Sequence, residues 1–425
     1  MIDTLNVFLW GRKVGTLISA KGAKSYQNTI LFYFDSSYTQ DGYDIAPLTA
    51  PIKGLVAQKG LPFFPEKNKV FNDLPSFISD SLPDHWGNKV FNEWAQRHHI
   101  PVCKLSSLDR LSYIGRRGMG ALEFQPTTSK DMETAVKLDF ASLNDMAEKS
   151  FEAAKDFKTE LDADLLIDSL FRVGTSAGGK RPKAILNINF ERGLCYSGQV
   201  PSPEPGYVPM IVKFDENGQV PTTRIEYSYY LLAKEVGLRM MESRLLSGDR
   251  LCHFATERFD RNSGEKIHIQ TLAAMDPNSN SYESLFDVAN KLGVTQKEIN
   301  QLFLQMVMNV LCGNVDDHNK NFSFLMNRDG KWHIAPTYDF TFSIDTQAPR
   351  YVNRHSMSIC NKADEISGAD LLEIARRYNV KSASSTINKA KDIVGHFAEF
   401  GREAGLEEKW INIILQELEK ITANL

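Results

Sequence analysis

Cysteine is scarce in this chain and never paired. Cys103, Cys195, Cys252, Cys312 and Cys360 are scattered through 425 residues, with no C-x-x-C and no histidine at metal-ligand spacing. That pattern argues against a disulfide scaffold and fits a reducing cytoplasm. Long apolar runs are missing as well: no stretch approaches the roughly 20 residues a membrane span needs. The N-terminus "MIDTLNVFLWGRKVG" carries Asp3 and only a short apolar run, so it reads as a strand and not a signal peptide. The expected location is the cytoplasm, with no membrane contact. Excess positive charge is also lacking. Lys and Arg number 49 against 53 Asp and Glu, a net charge of -4, which excludes a nucleic-acid binder driven by bulk electrostatics and leaves room only for local basic patches. The P-loop signature G-x-x-x-x-G-K-[ST] is absent, and no repeats or low-complexity tracts stand out.

What is present is an ordinary globular composition, 42% hydrophobic and 24% charged, enough for a sizeable core in two or three domains or one two-lobed enzyme. Residues 1–126 are strand-rich. "LNVFLWGRKVGTLI" reads as a hairpin turning near Gly11-Arg12, and "TILFYF" as a further strand. Pro83-Asp84 then opens a helix with an apolar stripe of Trp86, Val90, Phe91 and Trp94. Residues 127–150 are polar and aromatic-poor, a connection with at most one exposed helix. The segment 127–258 mixes strands ("KAILNINF", "VPMIVKF") with a helix ("RIEYSYYLLAKEVGL"), and 259–425 is mainly helical. Within that last part, Thr295 and Glu298 are spaced as a capping box. They precede a wide apolar face of Ile299, Leu302, Phe303, Met306, Val307, Val310 and Leu311.

Directly after this helix, "GNVDDHNKNFSFLMNRDGKWHIAPTYDF" crowds four carboxylates, two histidines and several amides into Gly313–Phe340. Asp316 and Asn321 stand five apart, and Asp339 follows after "FSFLM", "NRDG" and "KWHIAP". A hairpin there returns the chain and brings Asp339 back toward Asn321. Phosphoryl transfer needs one carboxylate to orient a hydroxyl and take its proton, and an Asn with a second Asp to hold Mg2+ against phosphates. Asp-x4-Asn, a hairpin and Asp-Phe have the order of a kinase catalytic loop and its metal-binding aspartate. Asp and Asn also cap turns, but capping does not call for the hairpin return. His318 is expected to shape the loop and to lie near the nucleotide, which leaves the base role to Asp316.

A nucleotide site would need further parts upstream, and each has a candidate. "GTSAGGKRPKAIL" is glycine-rich, as close backbone approach to phosphates requires, with Ser176, Gly178, Gly179 and Lys183 as contacts; taken alone it is also an ordinary turn. Lys213 ends the strand "VPMIVKF" like the phosphate-reaching V-A-I-K lysine, although a strand-end lysine on the surface looks the same. "TERFDR" would set Glu257 and Phe259 against an adenine edge, or serve as a salt-bridged linker. Glu226 has the position of a lysine-pairing helix glutamate, or of a first-turn residue placed by the helix dipole.

Taken in order, "GGKRPKA", "IVKF", "ERFDR", "NVDDHNKNFSFL" and "APTYDF" resemble the HipA family of bacterial serine/threonine kinases, the toxins of HipA–HipB toxin–antitoxin modules. "LPSFISDSLPDHWGNKV" and "RLSYIGRRGMGALEF" resemble that family's N-terminal subdomain, so the likeness spans nearly the whole chain. It implies an α+β, two-lobed protein-kinase-like fold related to phosphoinositide 3/4-kinases, whose D-x-H-x-x-N loop "DDHNKN" also fits. The parts would be a β-rich N-terminal subdomain (1–126), a small lobe (127–258) and a mostly helical large lobe (259–425). It implies ATP and Mg2+ as cofactors, with Asp316 catalytic, Asn321 and Asp339 on the metal, Lys213 on the phosphates, and Glu257 and Phe259 at the adenine. Ser176, beside Thr175, becomes the candidate for silencing autophosphorylation, although "SAGGKRPK" has a shorter interval between the serine and the Ala-Gly pair than the best-known member. The implied target is an aminoacyl-tRNA synthetase, whose phosphorylation halts translation and induces dormancy and persistence. The implied partner is a helix-turn-helix antitoxin of HipB type, through which DNA is reached indirectly.

Other classes fit less well. A catalytically quiet corepressor would not need Asp316, Asn321 and Asp339 together. A two-metal hydrolase is short of ligands, and a lipid kinase would want an amphipathic or basic membrane-binding segment.

Overall fold

The computed structural model describes residues 2–20, 29–66, 69–128, 134–139, 181–216, 220–247 and 251–425. Thr175, Ser176, Gly178 and Gly179 lie outside them. The chain divides into two compact units, one of residues 1–216, 247–270 and 326–330, the other of 217–246, 271–325 and 331–425.

In the first unit, β1 (Thr4–Leu9), β2 (Arg12–Ala20), β3 (Thr29–Phe34) and β4 (Leu122–Gln125) form an antiparallel sheet in the order β3-β2-β1-β4. Alternation along β1 buries Leu5, Val7 and Leu9, as the period of a half-buried strand requires. The first turn falls one residue earlier than expected, on Trp10-Gly11, both at positive φ (49° and 81°), the backbone that matches the twist of a two-residue hairpin. A tryptophan there is strained. Its indole is held by an Nε1–H bond to the Lys266 carbonyl at 2.7 Å and by the Tyr43 ring at 5.0 Å.

The helix expected after Pro83-Asp84 runs His85–Arg97 and buries Trp86, Val90, Phe91 and Trp94. Trp86 Nε1 donates to the Lys183 carbonyl at 3.0 Å, which fastens the helix to a second sheet. Its strands are β5 (Lys137–Asp139), β6 (Lys183–Asn189), β7 (Leu194–Ser197), β8 (Val208–Lys213) and, after β9 (Ser243–Ser247), β10 (Cys252–Glu257). Within this unit they pair antiparallel in the order β5-β7-β6-β8-β10. Every residue of β6 is buried. β5 corrects the reading of 127–150 as a plain connection. It is a short edge strand made by backbone pairing to β7, Leu138 opposite Cys195, and an edge of that kind tolerates a polar sequence.

The second unit is mainly helical. At its centre, helix Gln296–Leu311 is buried without a break from Leu302 to Leu311 and packs against helices Tyr282–Lys291, Ala383–Gly395 and Glu408–Asn424. Its capping box forms as expected: Thr295 Oγ1 accepts from Glu298 N, and Glu298 Oε2 accepts from Thr295 N at 2.9 Å. Helix Thr222–Val236 starts earlier than the motif around Glu226 implied. Glu226 therefore stands in the second turn, only 4% exposed, too far along for the helix dipole to account for it. Among the described residues no helix is long and apolar enough to cross a membrane.

Candidate active site

Helix Gln296–Leu311 is anchored at both ends, and the loop with the acidic residues follows from that. At its start, Glu298 Oε1 accepts from Ile334 N at 3.1 Å, so the capping residue also fixes the return strand of the hairpin. Burial would raise the Glu298 pKa, but the Thr295 and Ile334 bonds prevail and lower it. At its end the chain breaks out through Gly313, φ 61°. Asn314 then turns back to donate to Asn309 Oδ1 at 2.9 Å.

The two aspartates that follow have opposite environments. Asp316 is exposed and Asp317 is 0% exposed. Asp316 N and Val315 N both donate to Ser343 Oγ, at 3.1 and 2.7 Å. Asn321 Nδ2 donates to the Asp316 carbonyl at 2.8 Å. The spacing of five thus closes a small loop in which the Asn321 side chain holds the backbone of Asp316. The amide oxygen Oδ1 takes no part in that bond. His318 sits half-buried at the N-cap of the short 3-10 turn Asn319–Asn321, where its carbonyl accepts from Asn321 N at 2.8 Å.

Strands Ser323–Met326 and Trp332–Ile334 make the hairpin, with the turn closed by Gly330 N on Asn327 O at 2.9 Å. The returning chain is stapled to the loop by Tyr338. Its hydroxyl donates to the Lys320 carbonyl at 2.7 Å and accepts from Ser323 Oγ at 2.5 Å. Asp339 follows immediately, at φ 50°, a left-handed conformation that Asp tolerates better than most residues. Phe340 is fully buried beside Tyr229, ring centroids 5.3 Å apart. Tyr229 in turn donates to the Cys312 carbonyl at 2.7 Å, and burial pushes its hydroxyl pKa well up. Asp339 is thereby set between a stapled tyrosine and an anchored phenylalanine, one residue from the bond to Lys320.

Sequence reasoning missed the residues that hold this loop: Asp317, Tyr282, Asn309, Ser343 and His355. The adjacent Asp-Asp pair was a signal, since one exposed loop seldom needs both, but nothing in the spacing pointed to His355.

Of the upstream candidates, Lys183, Lys213, Glu257 and Phe259 belong to the first unit and Glu226 to the second. Lys213 at the end of β8 lies directly opposite Lys183 of β6 and Phe254 of β10. Facing residues of an antiparallel pair share one side of the sheet, so both lysines project together. Lys183 is 3% exposed and Lys213 half-buried. In "ERFDR" the residues alternate. Glu257 and Phe259 are half-buried. Arg258 and Asp260 are buried and joined through Nε–Oδ1 and Nη2–Oδ2, both 2.9 Å. Asp260 also accepts from Gly120 N and Arg261 Nη1, each at 2.7 Å. Burial would raise the Asp260 pKa, but the two guanidiniums hold it well below the usual carboxylate range. The salt-bridged reading of this motif is right for Arg258 and Asp260, and these tie it to the "GRRGMGAL" segment.

Among the described residues no group of three or more His, Cys, Asp or Glu could hold a metal. Asn321 and Asp339 offer hard oxygen donors in small number. That suits Mg2+, which keeps waters and phosphate oxygens and takes one or two protein ligands.

The arrangement is that of an α+β protein with a helix–loop–hairpin bearing one exposed and one buried carboxylate. The sequence model for the HipA-like C-terminal domain matches residues 175–425, and that for the HipA N-terminal domain matches 5–125. The chain belongs to the HipA family. It is 27% identical over 276 residues to a Haemophilus influenzae protein named "Putative kinase", covering 58% of this chain and 74% of that one. Its fold matches that of the Shewanella oneidensis HipA solved with HipB and operator DNA. The TM-score is 0.68 at 17% identity, over 99% of this chain and 96% of the other.

Proposed function

We propose that this chain is an ATP- and Mg2+-dependent protein serine/threonine kinase of toxin type. The observation that carries the reading is the exposed carboxylate of Asp316, held on a loop whose backbone is closed by Asn321 and followed by the stapled segment of Asp339. In this reading Asp316 orients the acceptor hydroxyl and takes its proton. Asn321 and Asp339 would hold Mg2+, which when bound neutralises charge on the phosphates. Lys213 and Lys183 form a paired cationic site for the phosphate chain, and Glu257 and Phe259 serve the adenine. His318 lends its carbonyl to the loop and its ring to the nucleotide side.

Family membership supports the wider assignment. The partner would be a helix-turn-helix antitoxin of HipB type, as in the Shewanella assembly, with DNA reached through it. The protein substrate would be an aminoacyl-tRNA synthetase. Autophosphorylation at Ser176 or Thr175 would silence the enzyme, and its place of action would be the cytoplasm.

Intact mass before and after incubation with ATP and Mg2+ tests the core of this. Wild type should gain one phosphate and Asp316→Ala none. A protein that is unmodified at the outset and stays so would instead favour a quiet corepressor that only docks its antitoxin.

A further inference from the structure

We infer that Asp317 is the positioning residue of the loop: it locks the backbone around Asp316 so that only the Asp316 carboxylate is presented. The inference rests on the reading of Asp316 as the base.

Asp317 is a fully buried carboxylate among donors. Tyr282 O–H reaches Oδ2 at 2.7 Å and His355 Nδ1 reaches it at 2.8 Å, while Ser356 N reaches Oδ1 at 2.8 Å and Met357 N at 3.4 Å. A carboxylate has no proton to give, so His355 must carry its proton on Nδ1. The tyrosine is itself oriented: Asn314 Nδ2 donates to Asn309 Oδ1, and Asn309 Nδ2 donates to Tyr282 Oη at 2.8 Å. Donor direction therefore runs one way, from the loop through helix Gln296–Leu311 and back to Asp317. Burial, and next the Asp317 charge, push the Tyr282 pKa well up, so the phenol stays a donor.

The same segment grips the loop from its other end. Ser343 takes the amides of Val315 and Asp316, and Ser343 N donates to Gly313 O at 3.2 Å. Ser356 donates through N and Oγ to the Val315 carbonyl, at 3.0 and 3.1 Å. With Asn321 on the Asp316 carbonyl, every backbone N–H and C=O of residues 315 and 316 is committed. The grip at Ser343 needs only a hydroxyl. The grip at residues 355–357 depends on the charge of Asp317, because four donors converge on its two oxygens.

Asp317→Asn tests this, since it replaces one acceptor by a donor facing donors. The rate of phosphate incorporation is followed by intact mass over a range of ATP concentrations, with hydrogen exchange measured on the same proteins. The maximal rate should fall about 10- to 100-fold, the cost of a small misplacement of a reacting group, while half-saturating ATP shifts by less than about twofold. Exchange should rise together in 313–318 and 343–357. His355→Asn, whose amide donates where Nδ1 did, should recover most of the rate lost in His355→Ala. An unchanged rate and unchanged exchange in Asp317→Asn would overturn the inference, and so would equal rates in the two His355 variants. If Asp317→Asn does not fold, the His355 pair decides. If wild type transfers no phosphate, the reading of Asp316 fails; exchange then judges the lock separately, with concerted loosening of the two segments for it and no loosening against it.

Discussion

Gly313 shows how tightly the loop is drawn. It sits at φ 61°, and a Cβ there would lie 2.7 Å from Ile344 Cδ1. Gly313→Ala should cost about 1–3 kcal/mol from backbone strain and crowding together, read by urea unfolding. Adding Ile344→Ala should recover the crowding part and leave the strain. At this scale the sequence was half legible. The Asp-x4-Asn spacing singled out Asp316, and the structure gives that residue an exposed carboxylate and a backbone bonded to Asn321. Asp317 could not be told from its neighbour, because its role is defined by His355 and by Tyr282, 38 and 35 residues away. No local pattern encodes a contact of that range.

Among the elements, β6 and β8 set Lys183 and Lys213 opposite each other at their ends. In the proposed reading both face the polyphosphate. Lys183→Met should weaken ATP binding by about tenfold, or 1.4 kcal/mol, the scale of a charge-assisted contact. Thermal melts with and without ATP check it; an intact ATP-induced shift would contradict it. Element existence was well encoded where hydrophobic period and caps agreed, as in helix Gln296–Leu311 with Thr295 and Glu298. It was poorly encoded where pairing decides. β5 has no strand pattern of its own and exists through β7. The start of the helix at Thr222 follows a proline in a polar stretch, with no side-chain cap to mark it.

For the whole molecule, two buried histidines set the acid limit. Burial lowers His253 and His268 to about 4. His253 Nδ1 accepts from Asp215 N at 2.9 Å, a bond its protonation would abolish. An unfolded histidine titrates near 6.5. Between those values the unfolded chain binds protons that the folded chain refuses, so stability is full above about pH 6.5 and falls as pH drops toward 4. By pH 5 the loss should be about 2 kcal/mol for each. Scanning calorimetry at pH 7 and pH 5 would show it, and His253→Gln should remove about half of the difference.

The buried ionic knot of Arg258, Asp260 and Arg261 has a consequence in time. Arg261 donates to the carbonyls of Gly118 and Gly120, and 141 residues separate it from Gly120. A ribosome adding about 5–20 residues per second needs about 7–28 seconds to make that interval. For that period the nascent N-terminal sheet lacks the guanidinium that its glycine segment is shaped to receive. The first sheet to emerge is thus completed only once residue 261 has been made, and a chaperone has a defined interval in which to hold it.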